Sequence, residues 1–564
     1  MTTAPSPPTA SPTIADGRLP IVVGVSGHRH LREADLPGYR TRITGFFDQL
    51  QQRYPSTPLR VISALAEGAD RLVSTIALER GYELIVPLPL EPHDYERDFP
   101  DSVGEFREIL QRTPPQCVFI WPGRAAGGDA PGLDPVAARN HQYREVGAFV
   151  AQQSHILLAI WDGVPDDASA GTSGVVALKL GRTSDMNARI GLEPDDSGPV
   201  FHVHATRAGD ASDASQEVSW LFPRDNDADL FHTVCSRIER FNAEQARERI
   251  RPQVPQVIAS LLPGSESAAG ADPELGTAFA YADRLAAHYQ QITHGVLRLT
   301  LLVAAAMAVI FEVYAELVPR RGVPLAYLLC FALLTLILVW HRRLDAQGRY
   351  LDYRALAEGL RVQFYWRLAG LTDNASASYL RKQLDELRWI REALRATGAV
   401  PPPRDAKADL ALKCWVHGQA DYYASHARVH ERRTQRMERW SEASLSIGLV
   451  AALSLVVLWR LLERYSTWEH WVVLLMGIAP VGAALWEAYA ERIGSRTQSN
   501  QYARFAAIFQ RAERLVNRLE EQPPSPSRRE NEWAVLRELG REALIENADW
   551  VLLLRDRPIA LPKG

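Results

Sequence analysis

Three segments in the first third of the chain place glycine beside residues that can bind a phosphate or a sugar. Glycine lets the backbone approach a phosphate closely, and the amides that begin a helix supply donors and a partial positive charge. Arginine in these segments could add charge-assisted bonds to phosphate, and aspartate could accept from ribose hydroxyls. The sequence therefore predicts a ligand site formed by Gly24, Ser26, Gly27, His28, Arg29, Ala66, Glu67, Gly68, Asp70, Arg71, Asp162, Gly163, Gly171, Thr172 and Ser173.

The elements that would position these segments are short apolar runs alternating with helical stretches, from Arg18 to about Arg207. Nearly continuous apolar strands between helices indicate a parallel sheet covered on both faces, and ligands bind such sheets at the carboxyl ends of the strands. We therefore predict an α/β, Rossmann-like parallel-sheet domain. Its predicted strands are Ile21–Val25, Leu59–Ile62, Glu83–Val86, Cys117–Ile120, His155–Ile160 and Val200–Val203, and its predicted helices are Arg40–Tyr54, Ala69–Arg80, Val103–Gln111 and Asn140–Ser154.

Glycine in a loop between a strand and a helix also has a purely structural use, so each segment alone is weak evidence. His28 fits a solvated polar turn as well as it fits a ligand contact. Three such segments on one edge of a sheet favour nucleotide or phosphate binding over the structural explanation.

Four apolar blocks lie in the C-terminal half, at Leu299–Leu317, Val323–Trp340, Ala443–Trp459 and Trp471–Trp486. At roughly 16–19 residues, each is near the lower limit for crossing a hydrocarbon core about 30 Å thick. The alternative is four buried helices of a large soluble core. However, the last three blocks carry no charge, whereas a helix of a soluble domain usually has one wet face, and tryptophans lie at their ends as in an interfacial belt. The pattern predicts an all-α membrane region with four transmembrane helices.

The four spans pair into two hairpins, because Pro319–Gly322 is too short for anything but a turn and Arg460–His470 joins the last two. The side that holds both termini carries more arginines than the two turns, which predicts that the N- and C-termini are cytoplasmic. The N-terminus lacks the basic residues and apolar stretch of a signal peptide. The predicted location is the inner (plasma) membrane, with multiple passes.

These patterns divide the chain into five predicted parts. They are a disordered tail at 1–17, the α/β ligand-binding domain at 18–207, a helical linker at 208–272, and two membrane hairpins with long cytosolic helices at 273–400 and 401–564.

The composition limits the classes of partner and cofactor that we expect for this chain. The chain has 63 lysines and arginines against 67 aspartates and glutamates, a net charge of -4, so no nucleic acid partner is expected. The four cysteines are widely separated and show no metal-ligand spacing, so we predict no metal and no cofactor. The expected partners are the lipid bilayer and a nucleotide-like small molecule.

The glycine-bearing motifs suggest a family. Gly24-x-x-Gly-His-Arg29, Ala66-Glu-Gly-Ala-Asp-Arg71, and Ile160–Gly163 followed by Gly171-Thr172 resemble the SLOG superfamily of Rossmann-like, DprA/LOG-like nucleotide-binding domains, over residues 18–207. Tyr353–Trp366 and Glu546–Trp550 resemble SLATT modules, which are two-helix membrane units. The resemblance implies a bacterial conflict system in which a SLOG sensor of nucleotide-derived signals controls a membrane-perturbing or pore-forming effector.

One departure from the resemblance bears on catalysis. LOG phosphoribohydrolases carry a Pro-Gly-Gly-x-Gly-Thr-x-x-Glu loop whose glutamate takes part in hydrolysis. Here Gly171-Thr172 is followed by Ser173, Gly174 and Val175, so that acid is absent. Binding is favoured over hydrolysis, with Glu67 or Asp162 left as other acids.

The sequence thus predicts a ligand-gated membrane effector. Four spans per chain enclose no obvious water path, so a pore would need a homo-oligomer. The alternatives are a membrane-anchored nucleotide hydrolase that uses the same cleft, and a scaffold that recruits a partner protein.

Overall fold

The computed structural model divides the chain into two compact units. The first comprises Met1–Ala282 and Leu356–Ala408, and the second Asp283–Ala355 and Asp409–Gly564. Residues 1–15 of the predicted tail and most of the turn predicted between the last two spans lie outside the described residues. The described residues are 16–121, 135–165, 171–182, 197–206, 217–224, 227–247, 253–263, 272–318, 320–378, 387–403, 406–458 and 466–555.

The first unit is built on a seven-stranded sheet. Its strands are β1 (Ile21–Gly27), β2 (Leu59–Ile62), β3 (Glu83–Leu88), β4 (Val118–Ile120), β5 (Ile156–Trp161), β6 (Val200–His204) and β7 (Val218–Leu221). They lie side by side in the order β4-β3-β2-β1-β5-β6-β7. All pairs are parallel except β6 with β7. The prediction of an α/β domain with a largely parallel sheet is confirmed.

The first eight helices of the chain belong to this unit and lie between the strands and after them. They are α1 (Leu36–Arg53), α2 (Ala69–Glu79), α3 (Pro92–Tyr95), α4 (Val103–Arg112), α5 (Pro135–Gln153), α6 (Thr172–Lys179), α7 (Asp227–Glu244) and α8 (Val254–Leu261).

The remaining helices include three, α9, α11 and α14, that cross the division between the units, and two, α12 and α13, that belong to the first unit. They are α9 (Pro273–Glu316), α10 (Gly322–Leu344), α11 (Ala346–Leu368), α12 (Ala375–Ser378), α13 (Arg388–Thr397), α14 (Ala408–Ala411), a π-helix at Leu412–His417, α15 (Gly418–Val457), α16 (Ser466–Arg492), α17 (Ser495–Glu520) and α18 (Pro526–Arg555).

Both faces of the sheet are buried, as nearly continuous apolar strands require. In β1, Ile21 and Val23 belong to the core cluster that includes α1 and α2, whereas Val22 belongs to the cluster that includes α5 and α6. Ala396 and Ala399 also pack into this second cluster, so residues around α13 cover the same face of the sheet although they are distant in sequence.

The first unit is therefore larger than the predicted domain at 18–207. The predicted linker supplies the antiparallel edge strand β7, whose Trp220 packs against Phe201 at a ring-centroid distance of 5.1 Å. Residues 356–400 were predicted to belong to the first membrane module, yet they lie in the first unit. The strand β7 is short and partly exposed, so its pattern was too weak to predict a strand.

Four helical stretches are long and apolar enough to cross a membrane, at Pro273–Glu316, Gly322–Leu368, Ala408–Val457 and Trp468–Arg492. Only 11 to 22% of the most apolar window of each is buried. Large side chains such as Leu336 and Val457 are 67 and 73% exposed. A soluble protein rarely exposes so much contiguous apolar surface. The four helices indicate a membrane protein, in agreement with the predicted spans.

Contacts in the second unit join the apolar helices. Val296 and Val303 of α9 cluster with Leu334 and Ile337 of α10. Between α15 and α16, the hydroxyl of Ser444 donates to the carbonyl of Ala479 at 2.8 Å. Hydroxyl bonds of this kind satisfy polar groups between helices in an apolar medium.

Candidate functional site

A cavity of about 650 Å³ lies where the strand order of the sheet reverses. From β1 the chain builds the sheet outward through β2, β3 and β4, and it then returns to place β5 on the other side of β1. Gly27, the last residue of β1, is level with Ile160 of β5. Ligands of open α/β sheets bind in the crevice at such a reversal, and the volume is within the usual range of about 300–1,000 Å³ for ligand pockets. We call this cavity the cleft.

Nine of the predicted residues line the cleft, and six do not. The lining residues are Ser26, Gly27, His28, Arg29, Ala66, Asp70, Gly171, Thr172 and Ser173. The predicted residues that do not line it are Gly24, Glu67, Gly68, Arg71, Asp162 and Gly163.

Two of the glycines hold the loops of the cleft together. A Cβ on Gly27 would lie 2.4 Å from the Cβ of Ala69. Gly68 has a φ of +84°, and a Cβ there would lie 2.1 Å from the carbonyl oxygen of Arg29. The amide of Ala69 donates to the carbonyl of His28 at 3.1 Å. The structural use of glycine thus accounts for Gly68, because the loop after β1 packs directly on the start of α2.

Gly24 and Gly163 are also placed by the backbone. A Cβ on Gly24 would lie 2.9 Å from the Cβ of Ser154, so this glycine allows β1 to pack closely on the end of α5. Gly163 has a φ of +77° in an exposed turn after β5. Neither lies where a ligand in the cleft would touch it.

Arg71 is a structural residue and not the predicted phosphate ligand. Its side chain is fully buried, and its guanidinium donates to Ser102, with Oγ at 2.8 Å, and to the carbonyl of Leu65 at 3.2 Å. The guanidinium also lies 4.2 Å from the ring centroid of Phe99. Glu67 is engaged at the same place, because its carboxylate accepts from Ser102 at 2.6 Å. Both residues fasten the loop before α2 to the start of α4.

His28 connects the ends of β1 and β5. The backbone amide of Asp162 donates to its Nε2 at 2.9 Å. A nitrogen that accepts from an amide carries no proton, so this contact is an ordinary hydrogen bond of a neutral imidazole. The Asp162 carboxylate, 3.4 Å from the same nitrogen, accepts from the amide of Val164 at 3.0 Å. Asp162 therefore shapes the turn after β5, and the predicted contact with a ribose is not supported by its position.

Arg29 is the cation of the cleft. Its side chain is exposed and lies over the ring of Tyr143 in α5, 5.4 Å from the centroid. Among the described residues it makes no hydrogen bond or ion pair. Thr172 and Ser173 lie beside the cleft in the first turn of α6, where backbone amides lack partners within the helix. This combination suits an anion such as a phosphate group.

Asp70 is the acid of the cleft. Burial raises the pKa of its carboxyl to about 7, and the opposing effects of the Ala66 amide and of Arg29 are smaller. A carboxyl with this pKa exchanges its proton near neutral pH, as a general acid or base must. The sequence identified Asp70 as a partner for ribose, but its proton chemistry depends on burial, which the sequence did not show.

Sequence reasoning missed the aromatic and apolar wall of the cleft. One face of α5 supplies Tyr143, Val146, Gly147 and Val150. Their spacing of three, one and three residues is that of a single helix face, so a search for helical periodicity would have found them. Other lining residues that the prediction omitted are Val25, His30, Ala64, Tyr95, Trp161, Val164 and Val175.

Trp161 carries a polar group without a partner. The side chain ends β5, is only 7% exposed and lines the cleft. Its indole Nε1 is buried and has no hydrogen-bond partner among the described residues. A buried tryptophan N–H usually has an acceptor. Trp161 therefore brings an unsatisfied donor to the residues that line the cleft.

A second cavity of about 680 Å³ lies at the opposite, amino-terminal edge of the sheet. Its charged groups bind one another. Arg60 of β2 pairs with Glu83 of β3 at 2.5 Å and with Glu274 at 3.4 Å, and donates to the carbonyl of Ala396 at 3.1 Å. Arg367 pairs with Asp272 at 3.0 Å. Burial raises the pKa of Glu274 to about 7, an effect that Arg60 opposes. These bonds tie the start of α9 and the end of α13 to the sheet.

No group of three or more histidine, cysteine, aspartate or glutamate side chains in the described part of the chain is arranged to hold a metal ion. His202, which alternates with His204 on β6, bonds through Nε2 to the carbonyl of Trp161 at 3.0 Å.

No protein-family model matches the chain, and no curated protein or solved structure matches it. These comparisons assign the chain to no family, and the resemblance to SLOG domains and SLATT modules stays a prediction.

Proposed function

We propose that the protein is a membrane-embedded sensor-effector whose cleft binds a nucleotide-derived ligand. The observation that carries the proposal is the unpartnered indole N–H of Trp161 on the wall of a cleft whose mouth holds the unpaired cation Arg29. The aromatic wall of Trp161, Tyr95 and Tyr143 suits a base. Arg29 and the first turn of α6 suit a phosphate. A nucleotide combines these two chemistries in one molecule.

The proposal includes a Rossmann-like fold for the domain that contains the sheet. The reversal of strand order between β1 and β5 and the glycines after β1 are typical of dinucleotide-binding folds. A SLOG-type sensor fused to SLATT-type effector modules would have this organisation.

The distribution of apolar and basic residues supports the proposed effector role of the C-terminal, membrane-spanning half of the chain. Two hairpins in the inner membrane would place both termini, the sheet and the arginine-rich helices on the cytoplasmic side. Four spans per chain enclose no obvious water path, so a water path through the membrane would require a homo-oligomer. Ligand binding would then be coupled to permeabilisation of the bilayer or to signalling across it.

Calorimetry on the full-length protein in detergent tests ligand binding. The ligands are ATP, ADP-ribose and cyclic AMP, and the full chain is used because the first unit needs residues 356–408. Trp161→Phe keeps an aromatic ring and removes the N–H. It should weaken binding roughly three- to tenfold, the value of one hydrogen bond. Arg40→Ala is the control, because Arg40 lies on α1 and forms an exposed ion pair with Glu79 of α2. Absence of binding by all three ligands would contradict the sensor and favour the scaffold.

Ion flux tests the coupling. Liposomes that contain the full-length protein should release a trapped ion when the nucleotide that binds in calorimetry is added. Liposomes that contain the Trp161→Phe variant should need a higher concentration of that nucleotide. Flux that is equal with and without nucleotide would contradict gating while leaving binding in place.

A second candidate function, nucleotide hydrolysis, is favoured by Asp70. Its carboxyl has a pKa of about 7 and lines the cleft, so it could take a proton from an attacking water or give one to a leaving base. The absent LOG glutamate therefore does not remove every acid from the cleft. Chromatography of nucleotides incubated with the protein tests this function. Product that disappears with Asp70→Asn, while calorimetric binding persists, would make the protein an enzyme.

A further inference from the structure

A charged side chain interrupts the first apolar span. Glu312 lies in α9, one helical turn before Glu316, while the other three apolar blocks contain no acidic or basic residue. Ionisable residues within a membrane span are rare and expensive, and they usually mark an ion or proton pathway. The structure shows what Glu312 contacts.

The carboxylate of Glu312 lies directly against Gly477 of α16. A Cβ on Gly477 would be 2.4 Å from Oε1 and 3.0 Å from Oε2 of Glu312. Any residue larger than glycine at position 477 would therefore displace the carboxylate. Both residues belong to the second unit.

This contact lies inside the predicted spans. Gly477 comes six residues after Trp471, where the uncharged block begins, which is about 9 Å along a helix with a rise of about 1.5 Å per residue. Half the thickness of the hydrocarbon core is about 15 Å. Side chains on a helix lean toward its N-terminus, and in α9 that direction is toward the middle of the span. The Glu312 carboxylate thus reaches the level of Gly477.

Glu312 has no partner in the described part of the chain, since neither oxygen makes a hydrogen bond or an ion pair there. Glu316 differs, because its carboxylate lies 3.9 Å from Nδ1 of His470. A second oxygen is available near Gly477. Pro480 has no amide hydrogen, so the carbonyl of Met476 lacks the donor that a helix normally supplies. Carboxylate and carbonyl oxygens are the ligands of hard monovalent cations in broken membrane helices.

We propose that Glu312, which lies against Gly477, binds a monovalent cation, either a proton or Na⁺, inside the membrane. The bound cation neutralises a carboxylate that would otherwise be isolated in hydrocarbon. Conduction through the membrane unit is then selective for cations. The proposal rests on the membrane insertion within the proposed function and does not depend on the nucleotide cleft.

Dicyclohexylcarbodiimide tests the site without requiring conduction. This apolar reagent modifies protonated carboxyl groups, and mass spectrometry locates the modified residue. In full-length protein in lipid nanodiscs we expect modification of Glu312 at about pH 6 and at least about tenfold less at Glu316, which is nearer the aqueous boundary. Slower modification at high pH in choline chloride identifies a proton site, and further protection by NaCl identifies a Na⁺ site. Lack of modification, or modification that ignores both pH and Na⁺, would overturn the proposal.

Gly477→Ala and Gly295→Ala form a matched pair of variants. The new methyl group at 477 overlaps Glu312, so the rate of modification should change by about tenfold or more. A Cβ on Gly295, in the same helix as Glu312, meets no atom within 4 Å, so that variant should behave as the unmodified protein. Equal rates in the two variants would show that the contact with Gly477 does not shape the site.

Selectivity is the second readout. In planar bilayers under a salt gradient, the reversal potential should indicate cations. Glu312→Gln, which removes the charge and keeps the size, should lower the cation-to-anion permeability ratio by roughly tenfold. Glu316→Gln should leave most of the cation selectivity unchanged. An unchanged ratio in Glu312→Gln would overturn the role in conduction even if nucleotide binding and gating were intact.

Discussion

The two cavities of the first unit have nearly the same volume, about 650 and 680 Å³, and lie at opposite edges of one sheet, yet their chemistry differs. In the cleft, the guanidinium of Arg29 and the indole N–H of Trp161 have no hydrogen-bond partner among the described residues. In the second cavity, Arg60 and Arg367 are bound by carboxylates and carbonyls of the same unit. Cavity volume therefore does not distinguish the two ends of the sheet, whereas the ion pairing of their arginines does.

The topology explains this difference. Loops at the carboxyl edge diverge at the reversal of strand order and leave a crevice. At the amino edge, the chain returns twice, first at the start of α9 and then after α13, and each return supplies partners for a buried arginine. A buried charge is tolerated only when it is paired, so the second cavity stabilises the unit and the cleft stays available for a ligand.

The largest expected effect is the loss of the ion pairs in the second cavity. Arg60→Met leaves Glu83 and Glu274 without their cation. It should lower the free energy of unfolding by about 3 kcal/mol, the low end for a broken buried pair because both carboxylates are partly exposed. Guanidinium unfolding followed by tryptophan fluorescence measures it. Arg40→Ala breaks the exposed pair with Glu79 and should cost less than about 1 kcal/mol. Equal losses in the two variants would contradict the structural role of the second cavity.

Removal of the Arg29 side chain, the cation of the cleft, should weaken ligand binding without changing the stability of the fold. Arg29→Ala should weaken the binding of ADP-ribose by about ten- to thirtyfold, the value of a charge-assisted bond, and should leave the unfolding midpoint unchanged. Calorimetry and guanidinium unfolding of the same preparation measure the two effects. Arg71→Met is the comparison, since Arg71 is buried and bonded to Ser102, so it should lower stability and leave the affinity of the folded protein intact. A reversed result would place Arg71 in the binding site.

A smaller effect is expected from pH. The pKa of Asp70 is raised to about 7, so its carboxyl is mainly neutral at pH 6 and mainly charged at pH 8. Binding of an anion beside Asp70 should weaken as pH rises, by roughly tenfold for about 1.4 kcal/mol of repulsion. ADP-ribose suits the measurement, because its pyrophosphate does not titrate in this interval.

The control for this pH dependence comes from the second cavity. The pKa of Glu274 is also raised to about 7, but its carboxylate faces Arg60 and not the cleft. Asp70→Asn should abolish the dependence of ADP-ribose affinity on pH, and Glu274→Gln should retain it. If Glu274→Gln abolished it instead, the two edges of the sheet would be coupled.

Much of the fold was predictable because its signals are local. Six of the strands and the four apolar helices follow from runs of apolar residues, with a period and a length that do not depend on distant parts of the chain. The edge strand β7 was not predicted, since its four residues are paired only with β6. Its stability comes from packing of Trp220, which sequence pattern does not reveal.

The candidate site was predictable only in part. The three glycine-bearing strand ends meet at one cleft because carboxyl ends of parallel strands share an edge, and this follows from the sequence. Which arginine faces the ligand does not follow. Arg29 and Arg71 both belong to glycine-bearing segments that follow a strand, but only in the folded chain do Ser102 and Phe99 enclose Arg71.

By itself, the sequence determined the alternation of strands and helices, the glycine-bearing turns and the four apolar spans, because each is a property of neighbouring residues. Tertiary structure alone decided the membership of residues 356–408 in the first unit, the raised pKa of Asp70, the unpartnered N–H of Trp161 and the contact of Glu312 with Gly477. Burial and hydrogen bonding depend on groups that are distant in sequence. These features acquire their chemistry only when the chain is folded.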